Sequence, residues 1–157
     1  MIKRKKHKES NKLIAGWREW AQLPELGVDQ IKVKVDTGAK TSSIHAFDLV
    51  TFTHQGADWV QFDVHPLQEN DSIIHRCTSP IVDHRWITSS TGHRQRRFVI
   101  HTLFKMGDFS YLIELSLANR DEMGFRMLVG RNALKGQILV DPSHSFLLSH
   151  KSRLTKK

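Results

Sequence analysis

Asp36-Thr37-Gly38-Ala39 is the stretch of this chain whose residue types and order are best suited to chemistry. A carboxylate placed where a strand meets a glycine turn is held rigidly, with backbone N–H groups close enough to bond it. Such a carboxylate can act as a base toward water or, when protonated, donate a hydrogen bond. The same four residues also suit an Asp that only closes a turn, because Asp and Gly dominate turns for conformational reasons. What distinguishes the two readings is the element that delivers the Asp.

That element is Ile31 to Val35, in which apolar and lysine residues alternate as they do in a half-buried strand. Gly38 then permits a conformation or a close approach that a Cβ would hinder. Upstream, Leu13 to Trp20 reads as an opening strand, and Leu23-Pro24-Glu25-Leu26-Gly27 as a connection. Downstream, Ser43 to Asp48 reads as extended. Leu49 to Thr53 and Trp59 to His65 flank Gln55-Gly56-Ala57-Asp58 as a hairpin, and Pro66 to Ser72 is a polar loop. Ile73 to Thr78 and Pro80 to Thr88 precede Ser89-Ser90-Thr91-Gly92, after which Arg97 to Phe104 resumes as strand. Phe109 to Leu117 alternates again, Ala118 to Gly124 is polar, and Phe125 to Val129 leads to Gly130-Arg131-Asn132. A helical turn is expected at Ala133 to Lys135, ended by Gly136. Ile138 to Val140 and Phe146 to Leu148 close the domain. Many short strands punctuated by turns, with almost no helix, predict an all-β barrel or sandwich.

The chain has 157 residues, 39% hydrophobic and 25% charged, which fits one soluble globular domain. We expect that domain at 13–149, between a basic tail at 1–12 and another at 150–157. No apolar run approaches the ~20 residues needed to cross a bilayer, and the apolar region of a secretory signal is missing. Cys77 is the one cysteine, so an intrachain disulfide is impossible and a cytoplasmic setting is expected. The net charge of +8 calls for an anionic partner or serves solubility. Part of it lies in the tails, where clustered Lys and Arg also suit RNA or the ribosome.

Two separated segments fall into one pattern: Asp36-Thr37-Gly38-Ala39 and, far later, Met127-Leu128-Val129-Gly130-Arg131-Asn132-Ala133-Leu134. This resembles the retropepsins, the single-lobe aspartic proteases. A closer resemblance runs from Ile14 to Leu148. The segments Gly16-Trp17-Arg18-Glu19, Leu23 to Gly27, Val35 to Ser42 and Asn119 through Arg131 are similar to the bacterial retropepsin-like family once called ATP-dependent zinc proteases. That family is associated with ATP-grasp ligases that add glutamates to ribosomal protein tails. The resemblance implies a closed β-barrel of the acid-protease type with one short helix. It also implies that Asp36 is the catalytic carboxylate, positioned by Thr37 and Gly38. The mechanism needs two carboxylates sharing a proton, and one Asp-Thr-Gly per chain therefore implies a homodimer with two copies of Asp36 across a two-fold axis. Ala39 cannot donate the hydrogen bond that a Ser there would give the pair, so activity is expected nearer neutral pH than in acid proteases.

By the same resemblance the hairpin from Arg85 to Gly92 matches the position of the retropepsin flap, with Ser89, Ser90 and Gly92 as a hydrogen-bonding tip; for each serine taken singly an ordinary turn is the favoured reading. Retropepsins commonly carry an acid two residues after the loop glycine, paired with the later Arg; here that position is Lys40. Arg131 therefore cannot find its usual partner there, and the family's dimer contacts and substrate clamp do not carry over directly. Ala39, Lys40, Arg85, Ser89, Ser90, Gly92, Arg96 and Arg131 are the expected substrate-binding residues, and the cations favour an acidic peptide or glutamate-tailed protein. For Arg85 and Arg96, solvated strand-edge charge is the plain alternative. The ten histidines are scattered, no His-Glu-x-x-His occurs and no phosphate-binding Gly-Lys-Ser/Thr loop is present, so neither a metal nor a cofactor is expected. The rival functions are a catalytically silent barrel that reads acidic peptides and an RNA- or ribosome-associated module.

Overall fold

A computed structural model of the chain describes residues 12–67, 72–89, 91–119, 124–134 and 136–150. The basic tails lie almost wholly outside these residues, as does Ser90. Among the described residues the protein is mostly strand, in the order β1 Leu13–Gly16, β2 Arg18–Leu23, β3 Val28–Val35, β4 Ser42–His45, β5 Phe47–His54, β6 Ala57–Val64, β7 His75–Pro80, β8 Asp83–Thr88, β9 Arg94–Met106, β10 Phe109–Ala118, β11 Met127–Val129 and β12 Ile138–Asp141. Among the described residues one short α-helix, α1, spans Arg131–Leu134, and a 3-10 turn spans Pro24–Leu26.

The strands form three sheets. β1 pairs with β12, β5-β6-β7 forms an antiparallel sheet, and the largest runs β10-β4-β11-β3-β2-β9-β8, with β9 also pairing with β10. β2 meets β9 through one paired position, Gln22 with Lys105. The alternation read in the sequence is present in β3: Ile31, Val33 and Val35 are buried, while Lys34 faces solvent. With Phe62, Phe104, Ile44, Ile100, Leu115 and Met127, these side chains build one core. Burying side chains of that size stabilises by ~1.5–3 kcal/mol each.

Several boundaries differ from the sequence reading, each for a hydrogen-bonding reason. The opening segment is two strands, because Trp17 turns its N–H to the His144 carbonyl (2.9 Å) and its carbonyl to the Val35 N–H (2.8 Å). The stretch from Pro80 to Thr88 is not one strand. Ile81 donates to Asp58 and Val82 to Val99, both at 2.9 Å, so the chain passes there from one sheet to another. The helix begins at Arg131 instead of Ala133. Phe146 to Leu148 is not a strand at all. The N–H groups of Leu147, Leu148 and Ser149 donate to the carboxylate of Glu19, which replaces a neighbouring strand.

Candidate active site

The site is built where β3 ends. β11 lies beside it in parallel, Val129 opposite Val35, and on its other edge runs antiparallel to β4, Leu128 opposite Ser43. This places Asp36 at the C-terminal end of a strand with neighbours. Its N–H donates to the Val129 carbonyl at 2.8 Å, and its Oδ1 accepts from the Gly38 N–H at 3.0 Å. Asp36 is half-buried, and Thr37, Gly38 and Lys40 are exposed. Gly38 has no positive φ. What it supplies is room, since a Cβ there would stand 3.2 Å from Asp36 Oδ1.

The second motif holds the first. The N–H of Arg131 donates to the Ala39 carbonyl (2.8 Å) and that of Asn132 to the Lys40 carbonyl (3.1 Å). The Arg131 side chain donates through Nη1 to the carbonyls of Thr37 (3.4 Å) and Gly38 (3.2 Å). Arg131 thus binds the backbone of the Asp36 loop, in place of the acid that Lys40 has displaced. Gly130 is buried under that loop: its N–H bonds Ser42 Oγ at 2.9 Å, and a Cβ on it would lie 2.8 Å from the Thr41 carbonyl carbon. Sequence reasoning did not single out Ser42, because a serine in a strand carries no mark of the N–H it accepts.

The hairpin of β8 and β9 closes over five residues. The Ser89 N–H donates to the His93 carbonyl at 2.8 Å, and the Gly92 N–H to the Ser89 carbonyl at 2.9 Å. Ser89 Oγ accepts from the His93 N–H at 3.2 Å and bonds Thr91 Oγ1 at 2.9 Å. Gly92 has φ 84°, a backbone region that favours glycine. Both residues therefore build the tip itself. Ser90, expected beside them, lies outside the described residues.

Arg85 and Arg96 do not converge. Arg85 stands opposite Arg97 and Arg96 opposite Trp86, so the two lie on opposite faces of the hairpin. Arg85 is already engaged, Nη1 and Nη2 with Glu114 at 3.0 and 3.1 Å and Nε with Asp83 at 2.7 Å. Those bonds to Arg85 hold the Glu114 carboxyl below its usual range. On the Arg85 face the sequence reading missed Arg97. It is buried, its Nε donates to Gln95 Oε1 at 2.9 Å, and its Nη1 lies 3.4 Å from Ser116 Oγ. Counting pairs back from a tip between Thr88 and Arg94 would have found it.

A cleft of about 480 Å³ lies beside α1 against Tyr111 to Glu114 and touches none of Asp36 to Lys40. The Asp36 loop is instead an open surface of the single chain. Among the described residues no three His, Cys, Asp or Glu side chains come together to hold a metal ion, and no helix is long and apolar enough to cross a membrane.

The strand-borne Asp-Thr-Gly-Ala loop and the Gly-Arg-Asn segment bound beneath it are the two motifs through which the sequence resembles the retropepsins, and a family model of that class matches the chain. The family model described as "Retropepsin-like aspartic endopeptidase RimB" matches residues 14–151, and the chain belongs to this RimB-like family. Curated relatives include a probable alpha-L-glutamate ligase of Shewanella pealeana, 49% identical over 92% of this chain and 31% of the relative. The like-named protein of Shewanella halifaxensis is 47% identical over 90% of this chain and 31% of its own length. The chain thus spans under a third of these relatives. Among solved structures, the Legionella pneumophila protein Lpg0085, of unknown function, matches with a TM-score of 0.72 and 25% identity over 87% of this chain and 98% of its own.

Proposed function

We propose that the protein is an aspartic-type peptidase in which Asp36 of two copies shares one proton and activates a water. The observation that carries this reading is the half-buried Asp36 carboxylate, bonded by the Gly38 N–H at 3.0 Å and open to a partner on the exposed loop. In the reaction one carboxylate takes a proton from water while the other donates its own to the scissile carbonyl. The water oxygen bonds the carbonyl carbon. The carbon–nitrogen bond then breaks, and the amine leaves with a proton from the pair. Like charges brought together across a two-fold axis raise one of the coupled pKa values, which keeps that proton in place.

The closed barrel belongs to the same proposal, with the β2–β9 and β9–β10 pairings returning the large sheet on itself. A second copy also has a surface to meet. Among the described residues β1 and β12 pair only with each other, and Ile14 and Leu139, opposite one another in that sheet, are 52% and 46% exposed. Open strand edges carrying apolar side chains are a ready interface.

The substrate we propose is an acidic peptide, for which the exposed Lys40 beside Asp36 is the main cation. Ala39 lies half-buried in the same loop. Arg85 would contribute only by exchanging Glu114 for a substrate carboxylate. The relatives named as glutamate ligases supply a source for such a substrate: a ligase builds a glutamate tail, and this domain trims it. The same reading takes the protein to be cytoplasmic, where a lone thiol such as Cys77 stays reduced.

The test compares wild type, Asp36→Asn and Lys40→Glu on a peptide ending in several glutamates and on a neutral peptide, with and without a chelator, following fragments by mass spectrometry. Cleavage that survives the chelator and vanishes in Asp36→Asn is expected, with Lys40→Glu losing the acidic peptide selectively. Binding without cleavage by both wild type and Asp36→Asn would instead favour a reader of acidic peptides.

A further inference from the structure

We propose that Arg131 is a positioning residue for Asp36, acting through the peptide unit that joins Thr37 to Gly38. The inference rests on the reading of Asp36 as the working carboxylate. A peptide unit is planar and its C=O and N–H point in opposite directions, so fixing one end fixes the other. In this unit the Thr37 carbonyl accepts from Arg131 Nη1 at 3.4 Å, and the Gly38 N–H donates to Asp36 Oδ1 at 3.0 Å.

Residues 131 and 132 hold four successive carbonyls. Arg131 Nη1 bonds those of Thr37 and Gly38, its N–H that of Ala39, and the Asn132 N–H that of Lys40. The loop cannot rotate its Gly38 N–H away from Asp36 without breaking bonds to Arg131. A cationic donor on the carbonyl also polarises the N–H of the same unit, and such chains strengthen by ~10–30% per bond. An N–H aimed at a carboxylate favours its ionised form. Removing Arg131 therefore frees the Gly38 N–H to turn away from the Asp36 carboxylate.

The experiment uses the full chain, labelled for NMR, as wild type, Arg131→Met and Arg131→Lys. It follows the Gly38 amide resonance and the Asp36 side-chain carbonyl carbon against pH, at low salt and in 0.5 M NaCl, which shortens the Debye length to only a few ångströms. In parallel, the pH profile of kcat/KM is measured on the glutamate-ended peptide. Arg131→Met is expected to shift the Gly38 amide upfield and to move the pH response of the Asp36 carbon and the acid limb of the profile upward. The expected loss is several-fold, in kcat more than in KM, with partial recovery in Arg131→Lys. If the Met variant fails to fold, Arg131→Lys decides the matter, because it keeps the charge but moves the donor off the position that Arg131 Nη1 holds. An unmoved Gly38 amide and Asp36 pH response, or a shift that salt abolishes, overturns the proposal. Should the wild type cut nothing, the peptidase reading fails, while the two resonances still decide whether Arg131 sets the carboxylate.

Discussion

Replacing Glu19 by Gln keeps the side-chain volume and removes an acceptor where five donors converge. Glu19 is fully buried. Its oxygens accept from the N–H groups of Gly16 (2.6 Å), Leu147 (2.9 Å), Leu148 (3.1 Å) and Ser149 (3.0 Å) and from the Ser149 hydroxyl (2.6 Å). A glutamine amide would turn its NH2 toward at least two of these donors. Each lost hydrogen bond to a charged group removes ~1.5–3 kcal/mol, so two remove ~3–6 kcal/mol. Set against a whole-domain stability of ~5–15 kcal/mol, that is a large share. Urea denaturation of wild type and Glu19→Gln measures the difference. Hydrogen exchange at Leu147, Leu148 and Ser149 reports whether the C-terminal segment comes loose first. Tryptophan fluorescence includes a contribution from this segment, because the Trp20 backbone N–H donates to Ser149 Oγ at 2.7 Å and its ring stacks on Phe146. A loss below ~1 kcal/mol with unchanged exchange at those amides would refute the idea that a buried carboxylate anchors this segment.

Gly130→Ala would place a methyl 2.8 Å from the Thr41 carbonyl carbon and 3.0 Å from the Ala39 oxygen. Backbone atoms cannot swing aside, so a loss of ~1–3 kcal/mol in stability is expected by denaturation, with a larger proportional loss in cleavage as the Asp36 loop shifts. The Arg85–Glu114 pair makes the hairpin acid-sensitive. Glu114 is depressed in the folded state, first by its hydrogen bonds to Arg85. Its stabilisation is present above the unfolded pKa and lost as pH falls through the folded one. Because both side chains are about a third exposed, the effect stays under ~1 kcal/mol. Amide protection factors in β8, taken relative to the intrinsic rate at each pH, should fall on acidification below the usual carboxylate range in wild type, and fall less in Glu114→Gln.

Short-range pattern carried much of this protein into view. Alternation from Ile31 to Val35, a glycine after the aspartate and turn residues every few positions determined a set of strands and one carboxylate at a strand end. The residue order of two distant motifs then pointed to the family, and the structure joins those motifs through Asp36, Val129, Arg131 and Asn132. What local pattern could not carry is pairing across the chain. Arg96 and Arg97 are neighbours in sequence, yet the strand places them on opposite faces, and only the register with β8 tells which one joins Arg85. Lys40 in place of an acid left Arg131 without a partner in the sequence; the fold supplied one in the loop's own carbonyls. Glu19 enters the sequence reading only as the end of the segment Gly16-Trp17-Arg18-Glu19, and no neighbour there names its partners. It is buried because four of its five donors come from residues 147–149, far along the chain. Side-chain period and turn chemistry act over a few residues and are written in the sequence. Which backbone group satisfies a distant polar atom is decided only when the strands have assembled.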